Sequence, residues 1–341
     1  MPQLAIVIVS YNTCDLLRRC LQSIFVSLAQ SQAQLSADVI VVDNASRDRS
    51  AEMVRNEFPQ VYLIASQENL GFTRANNLAL QALGMGQKDD NTSLAVPILP
   101  SALRSPHFII LLNPDTQVMG DALWQMVACL QAKPEAGACG AHLRYGDGSF
   151  QHGAFHFPSL AQVAIDLFPV SALPGGHRLY DSGINGRYPA ALWQGNSPFP
   201  VDFVLGAALM VKTEVIRQVG LLDEGYFMYC EEMDWCLRIW NAGWQILALP
   251  NAQIIHYEGQ SSKQMRWVSF VRLWRSRLRF YSQHHERYSA LQRWGVRTLL
   301  AINLVWRKRT LLRHFARGIV SGSAVAEELA AYDEVLALVR G

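Results

Sequence analysis

The chain has 341 residues, of which 50% are hydrophobic and 17% charged, and carries a net charge of +2. That composition excludes a disordered or fibrous chain, and the length allows one large α/β domain or two smaller ones. The charge is unevenly placed: residues 1–262 carry −8, residues 263–318 carry +13 and residues 319–341 carry −3. An acidic body with a strongly basic appendage points to an anionic surface or partner for the appendage.

Short β-branched runs alternate with helical patterns over the first 115 residues. Strands are predicted at Leu4–Ser10, Asp38–Asp43, Val61–Ala65 and Phe108–Asn113, and helices at Leu16–Leu28, Arg49–Glu57 and Gly71–Leu83. Continuously apolar strands separated by helices define an α/β fold with a mostly parallel sheet covered on both faces. Ligands of such sheets bind beyond the carboxyl ends of the strands. The polar residues at those ends are Ser10, Tyr11 and Asn12, then Asp43, Asn44 and Ser46, then Asn113 and Asp115, and they are expected to converge on one crevice.

Residues 84–107, with Gly, Pro, Ser and a KDDN cluster, read as a flexible surface insertion. Residues 146–200 read as long loops with little regular structure, of the kind that usually shape a ligand site. Phe203–Lys212 returns to a buried strand, Glu231–Ala242 is a helix and Trp244–Leu249 another strand. Aromatic, basic helices begin at Lys263. One has Trp267, Phe270, Val271, Trp274, Leu278 and Tyr281 at helical spacing, and a second has Trp294, Leu299, Leu300, Ile302, Val305 and Trp306 before Arg307-Lys308-Arg309. They read either as a subdomain docked on the α/β fold with a solvated arginine face, or as an amphipathic surface for an anionic bilayer. The chain divides on this reading at 262/263.

The six cysteines form no C-x-x-C pair, which predicts free thiols rather than zinc ligands or disulfides. The start, MPQLAIVIVSYN, has no signal-peptide pattern, and no apolar run is long enough to span a bilayer. A cytoplasmic protein, or one on the cytoplasmic face of a membrane, is expected.

Asp115 follows four apolar residues and Asn113-Pro114. A carboxylate ending a buried strand needs a partner, water or a metal, although Asp after Pro is also common in turns. With one local carboxylate, Mg²⁺ or Mn²⁺ would need diphosphate oxygens and water to complete six ligands. Asp43 is a helix cap or a hydrogen-bond partner for a nucleotide's base or ribose. In Asn69–Asn77, Asn69 and Gly71 suit a helix start, while Arg74 and the helix amides could meet phosphate. Asn76 and the neighbouring Asn77 have poor helix propensity and suggest hydrogen bonds elsewhere. Glu231, Glu232 and Asp234 place three carboxylates in a first helical turn, which the helix dipole favours. Glu231 and Asp234 share a face with Trp235 and Arg238, and Glu232 projects to a neighbouring side. A carboxylate packed against apolar groups gains the proton affinity a general base needs. His256 ends another strand, as a packed histidine or a ligand.

Eight segments in this order resemble glycosyltransferase family 2, the inverting enzymes with the GT-A fold, and especially bacterial rhamnosyltransferase-like members. They are VIVSYN (7–12), VVDNAS (41–46), NLGFTRANN (69–77), LLNPDT (111–116), GAALMVK (206–212), GLLDEGYFMYCEEMDWCLR (220–238), AGW (242–244) and HYEGQSS (256–262). The resemblance implies that Asp43 binds nucleotide and that Asp115 is the last Asp of a DxD-type metal motif, here Asn113-Pro114-Asp115. Glu232 falls where the family usually has Asp in its Glu-Asp pair, with Glu231 and Asp234 as alternatives for the base. His256 falls at a position that can join the metal shell. The implied reaction is metal-assisted single displacement from a nucleotide diphosphate sugar, first dTDP-rhamnose and then UDP- or GDP-sugars. The implied acceptor is a hydroxyl of a glycan or lipid-linked glycan, and residues 263–318 would give peripheral contact with an anionic membrane.

Two other readings compete. A dehydrogenase would need G-x-G-x-x-G after the first strand, where this chain has SYNTCD. A non-catalytic nucleotide-sugar-binding protein of the same fold would retain the shape, but together Asp43, Asp115, the carboxylate triplet and His256 argue for catalysis. No motif for nucleic-acid recognition is present.

Overall fold

The computed structural model describes residues 3–31, 33–86, 106–168, 176–257, 266–320 and 322–340. They form two compact units. The first comprises residues 1–156, 188–227 and 231–261, and the second residues 157–187, 228–230 and 262–341.

The first unit is built on a nine-stranded sheet. Strands β1 (Gln3–Ser10), β2 (Ser36–Asp43), β3 (Tyr62–Ala65) and β4 (Phe108–Leu112) pair in parallel in the order β3-β2-β1-β4. Every residue from Leu4 to Ser10 is buried, as a strand covered on both faces requires. Helix α1 (Cys14–Gln30) packs on the sheet through Leu17, Cys20, Leu21 and Ile24, at the i, i+3, i+4, i+7 spacing of one helical stripe. Helices α2 (Ser50–Glu57) and α3 (Gly71–Ala82) follow β2 and β3.

Beyond β4 the sheet is mixed. Strand β5 (Thr116–Val118) and helix α4 (Ala122–Ala132) lead into β6 (Ala136–Arg144), which the sequence reading passes over because it is rich in Ala and Gly rather than β-branched residues. A Cβ on Gly140 would lie within 2.6 Å of the Val204 side chain, so close packing rather than β propensity selects glycine there. After β7 (Ala154–Phe155), the expected single strand over 203–212 is divided. Following β8 (Phe199–Val201) come β9 (Phe203–Val204) and β10 (Ala208–Lys212), separated by Leu205-Gly206-Ala207. Strand β10 lies antiparallel between β4 and β6. Helix α7 (Thr213–Val219) and helix α8 (Glu231–Asn241) precede β11 (Gln245–His256). That strand runs past the expected end at Leu249, through an irregularity between Leu249 and Gln253, to His256. It pairs in parallel with β6 and antiparallel with β5 and β8. The result is the mostly parallel α/β architecture expected of a GT-A sheet.

Regular structure also interrupts the region read as loops. Helix α5 (Leu160–Leu167), capped by Ser159, and the five-residue α6 (Gly176–Tyr180) belong to the second unit, with α9 (Arg266–Gln283), α10 (Ala290–Ala316) and α11 (Gly322–Arg340). In the first unit, Trp193 is buried with its ring 5.1 Å from Phe199 and 5.2 Å from His142, which anchors the 188–204 stretch by aromatic packing. Most of the predicted insertion, residues 87–105, lies outside the described residues.

In the second unit, α9 buries Val271, Trp274, Leu278, Phe280 and Tyr281, so most of its aromatic face is core. Arg277 pairs with Asp166 at 3.1 Å, and Asn303 Nδ2 donates to the Leu167 carbonyl at 2.5 Å, fastening α5 to α9 and α10. All six cysteines are free; four are buried, and Cys14 and Cys129 are half-buried.

Candidate active site

The carboxyl ends of β1, β2 and β4 bring the first group of polar residues together. Ser10 lies opposite Asp43 in the β1–β2 register, and the Asn44 amide donates to the Ser10 carbonyl at 2.8 Å. Ser10 Oγ is buried against Thr13 Oγ1 at 2.9 Å, and Tyr11 is half-buried beside it. Asn12 has φ +53, donates its amide to Ser46 Oγ at 3.0 Å and accepts the Arg47 amide at 2.7 Å. Ala45 and Arg49 also have positive φ, an uncommon concentration for non-glycine residues and a mark of backbone held in shape by its surroundings. Asp43 is buried. One of its oxygens accepts the Ser46 amide at 3.2 Å, and Oδ1 has no hydrogen-bond partner among the described residues. A buried carboxylate oxygen left open at a strand end is suited to a ligand hydroxyl or amide.

The asparagines divide by task. Asn44 Nδ2 donates to Asn69 Oδ1 and to the Gly71 carbonyl, and its Oδ1 accepts the Leu70 amide, so it ties the end of β2 to the start of α3. Asn69 Oδ1 also accepts the Gly71 amide at 2.9 Å. Gly71 has φ +77, and a Cβ there would lie 2.4 Å from the Phe227 carbonyl, which accepts the Phe72 amide. Asn76 donates back to the Phe72 carbonyl, whereas Asn77 Nδ2 donates to the Leu222 carbonyl and its Oδ1 accepts the Leu222 amide. Arg74 is paired with Glu224 at 3.7 Å.

Asp115 and His256 meet through strand pairing. The antiparallel β5–β11 register sets His256 opposite Thr116, and the Tyr257 amide donates to the Asp115 carbonyl at 2.8 Å. His256 Nε2 is then 3.4 Å from Asp115 Oδ1 and 3.4 Å from Asn113 Nδ2. Asp115 is 8% exposed and His256 6%, and the second ring nitrogen, Nδ1, has no hydrogen-bond partner among the described residues. Thr116 Oγ1 donates to the Asn113 carbonyl at 2.7 Å, with the buried Cys20 thiol 3.5 Å from Thr116 Oγ1. Desolvation pushes that thiol up to about 12, so it packs under the turn as a neutral group. A ring nitrogen and a carboxylate oxygen this close fit a two-point anchor for a divalent cation, with ligand oxygens and water completing its shell. Among the described residues no group of three or more His, Cys, Asp and Glu could hold a metal by itself.

The three acids of α8 separate sharply. Asp234 is fully buried and its Oδ2 accepts Arg238 Nε at 2.8 Å, while the same guanidinium donates to the Val219 and Leu221 carbonyls. It neutralises a structural arginine. Glu231 is buried with Oε2 unpartnered, and burial followed by the neighbouring Glu232 charge raises its pKa well above the ordinary carboxylate range. Glu232 is half-buried, also with one unpartnered oxygen. Burial raises its pKa, and hydrogen bonds from the backbone amides of Glu232, Met233 and Gly206 partly offset the rise. The Gly206 contact has a topological origin. Antiparallel pairing of β10 with β4 makes the Asn113 amide donate to the Ala207 carbonyl at 3.0 Å, which sets Gly206 beside the Asn113-Pro114-Asp115 turn. A Cβ on Gly206 would lie 3.4 Å from the Glu232 Cβ. Gly206 and Ala207 thus join the carboxylate of α8 to the strand end carrying Asp115, a role the GAALMVK segment gave no local sign of.

A GT-A glycosyltransferase is the class of protein that this sheet and these strand-end carboxylates define. Residues 5–84 match the family model described as Glycosyl transferase family 2. The chain is 28% identical over 320 residues to N-acetylglucosaminyl-diphospho-decaprenol L-rhamnosyltransferase of Mycobacterium tuberculosis, covering 92% of this chain and 95% of that protein. It is 28% identical over 184 residues to rhamnosyltransferase WbbL of Escherichia coli, covering 52% of this chain and 65% of that one. A mannosyltransferase of Pyrobaculum calidifontis, solved with GDP-Man and Mn²⁺, shares the fold at a TM-score of 0.54 and 14% identity, over 98% of this chain and 85% of its own. The chain is a glycosyltransferase that resembles family 2, and its rhamnosyltransferase-like members in particular.

Proposed function

We propose that the protein transfers L-rhamnose from dTDP-rhamnose to a hydroxyl of a glycan or lipid-linked glycan, with inversion at the anomeric carbon. The observation that carries the mechanism is the Gly206–Ala207 connection, which sets a carboxylate of raised proton affinity beside the Asp115 turn. Glu232 is the base. It is more exposed than Glu231, has an unpartnered oxygen and is held by backbone amides that keep its charged form accessible. The carboxylate takes the acceptor's hydroxyl proton as that oxygen bonds to the anomeric carbon. The bond from that carbon to the diphosphate breaks on the opposite face, and the nucleoside diphosphate leaves with its electron pair. Asp43 holds the nucleotide through its open oxygen. Asp115 and His256 would hold Mg²⁺ or Mn²⁺, and a cation bound there would supply positive charge to offset that of the leaving diphosphate.

Donor choice rests on likeness to the two rhamnosyltransferases, and a lipid-linked acceptor on the decaprenol in the name of the mycobacterial relative. Residues 146–200 are assigned to the acceptor side, and residues 263–318 to peripheral contact with an anionic membrane on its cytoplasmic face. No described helix is long and apolar enough to cross a membrane. The test is a screen of nucleotide sugars for metal-dependent turnover, with the anomeric configuration of the product determined by NMR. Turnover of dTDP-rhamnose with inversion is expected. A retained configuration would overturn the single displacement, and turnover restricted to a UDP- or GDP-sugar would overturn the donor.

A further inference from the structure

The basic helices of the second unit differ in what covers them. Helix α9 turns Trp274, Leu278 and Tyr281 inward. Helix α10, 27 residues and about 40 Å long, buries Val296, Leu300, Asn303 and Leu304 on one side only. On the other side Leu291 is 73% exposed, Trp294 63%, Ile302 54% and Trp306 52%, with Val305 and Leu312 exposed between and beyond them. At 100° per residue these six side chains fall on one face, and from Leu291 to Trp306 that face carries no charge. The helix has six Lys and Arg and no acid, and Arg309 and Arg313 are exposed along its second half.

We infer that α10 is the element that docks on an anionic bilayer, lying in the plane of the interface with Trp294 and Trp306 among its inserted side chains and Arg309 and Arg313 among the headgroups. This rests on the membrane contact proposed above and assigns it to one face of one helix, excluding the aromatic side of α9. Trp at the headgroup boundary, aliphatic residues below it and cations beside anionic lipid are the arrangement that interfacial helices use. A second copy of the chain fits the face poorly. A two-fold interface sets the same patch against itself, and here it would bury Arg309 and Arg313 of both copies with no acid on either helix to pair them. On α11, Asp333 pairs with Lys308 of α10 at 2.5 Å and Glu334 with Arg275 of α9 at 2.8 Å.

The full chain is sedimented with phosphatidylcholine vesicles, with and without phosphatidylglycerol, beside three variants checked for folding by circular dichroism. Wild type and Arg55→Gln, a control at an exposed cation of α2 outside residues 263–318, are expected to bind the anionic vesicles equally. Trp294→Ser/Trp306→Ser is expected to bind about tenfold or more weakly. Arg309→Gln/Arg313→Gln is expected to lose binding to a similar extent, on anionic vesicles only. If wild type and the tryptophan variant bind alike, α10 is not the docking element, while the membrane contact itself stands. If wild type ignores anionic vesicles, both readings fall. A wild-type dimer that the tryptophan variant converts to monomer, without vesicle binding, would identify the occupant as a second copy and overturn the bilayer.

Discussion

The two units handle apolar and polar groups in opposite ways. The first buries carboxylates: Asp43, Asp115 and Glu231 all lie at strand ends or in the first turn of α8 with little solvent contact. The second exposes tryptophan and aliphatic side chains along α10 and surrounds them with cations. Each arrangement costs stability in water, since buried charge loses hydration and exposed apolar surface orders solvent. A group kept at such a cost marks the place where a missing component restores the balance. On the proposed function that component is a nucleotide and a cation in the first unit, and on the further inference it is a bilayer in the second.

The buried acids offer the sharpest ways to break this contrast. Glu232→Gln is expected to lower kcat by about 10²–10⁴-fold with little change in donor affinity. The wild-type acid limb should lie above the ordinary carboxylate range, because Glu232 acts when ionised and burial raises its pKa. An unchanged kcat–pH profile in the variant would remove it as the base. Asp115→Asn is expected to cost about 10²–10³-fold in metal-dependent turnover. Unchanged metal dependence would remove Asp115 from the shell.

Asp234→Ala should damage folding rather than chemistry. It strands the Arg238 charge in the interior and is expected to cost about 3–5 kcal/mol, read by denaturant unfolding. A variant of wild-type stability with no activity would return Asp234 to the candidate bases. Smaller still is Glu231→Gln. Glu231 is protonated more readily in the folded chain than in the unfolded one, so its stabilising effect is present at low pH and fades as pH rises through the raised folded value. The amide removes that loss. We expect Tm to rise by roughly 2–4 °C at pH 8 and to change little at pH 4, as read by calorimetry. A larger gain in acid would reverse the assigned direction.

Much of the first unit is legible in the chain because buried parallel strands need unbroken apolar runs, and polar residues are tolerated only where those runs end. That requirement marks β1, β2 and β4 in the sequence, with Asp43 and Asp115 at their polar ends. Strand β6 escaped because Gly137 and Gly140 serve close packing, with a Cβ on Gly137 2.8 Å from Trp244 and one on Gly140 2.6 Å from Val204. Helix α5 escaped because eight residues amid Gly, Pro and aromatics give too little periodicity to stand out.

By itself, then, the sequence determined the α/β class, most elements of the first 115 residues, the family resemblance and the polar residues at the strand ends, because these depend on local composition and period. The tertiary structure decided which of those residues meet. Antiparallel β10 carries Gly206 to Glu232, and β11 returns antiparallel to β5 so that His256 faces Asp115. Both contacts depend on registers between segments about 90–140 residues apart, which no local pattern encodes. It also separated α9 from α10. Their aromatic and basic patterns read alike along the chain, and only the neighbours packed against them bury one face and leave the other open.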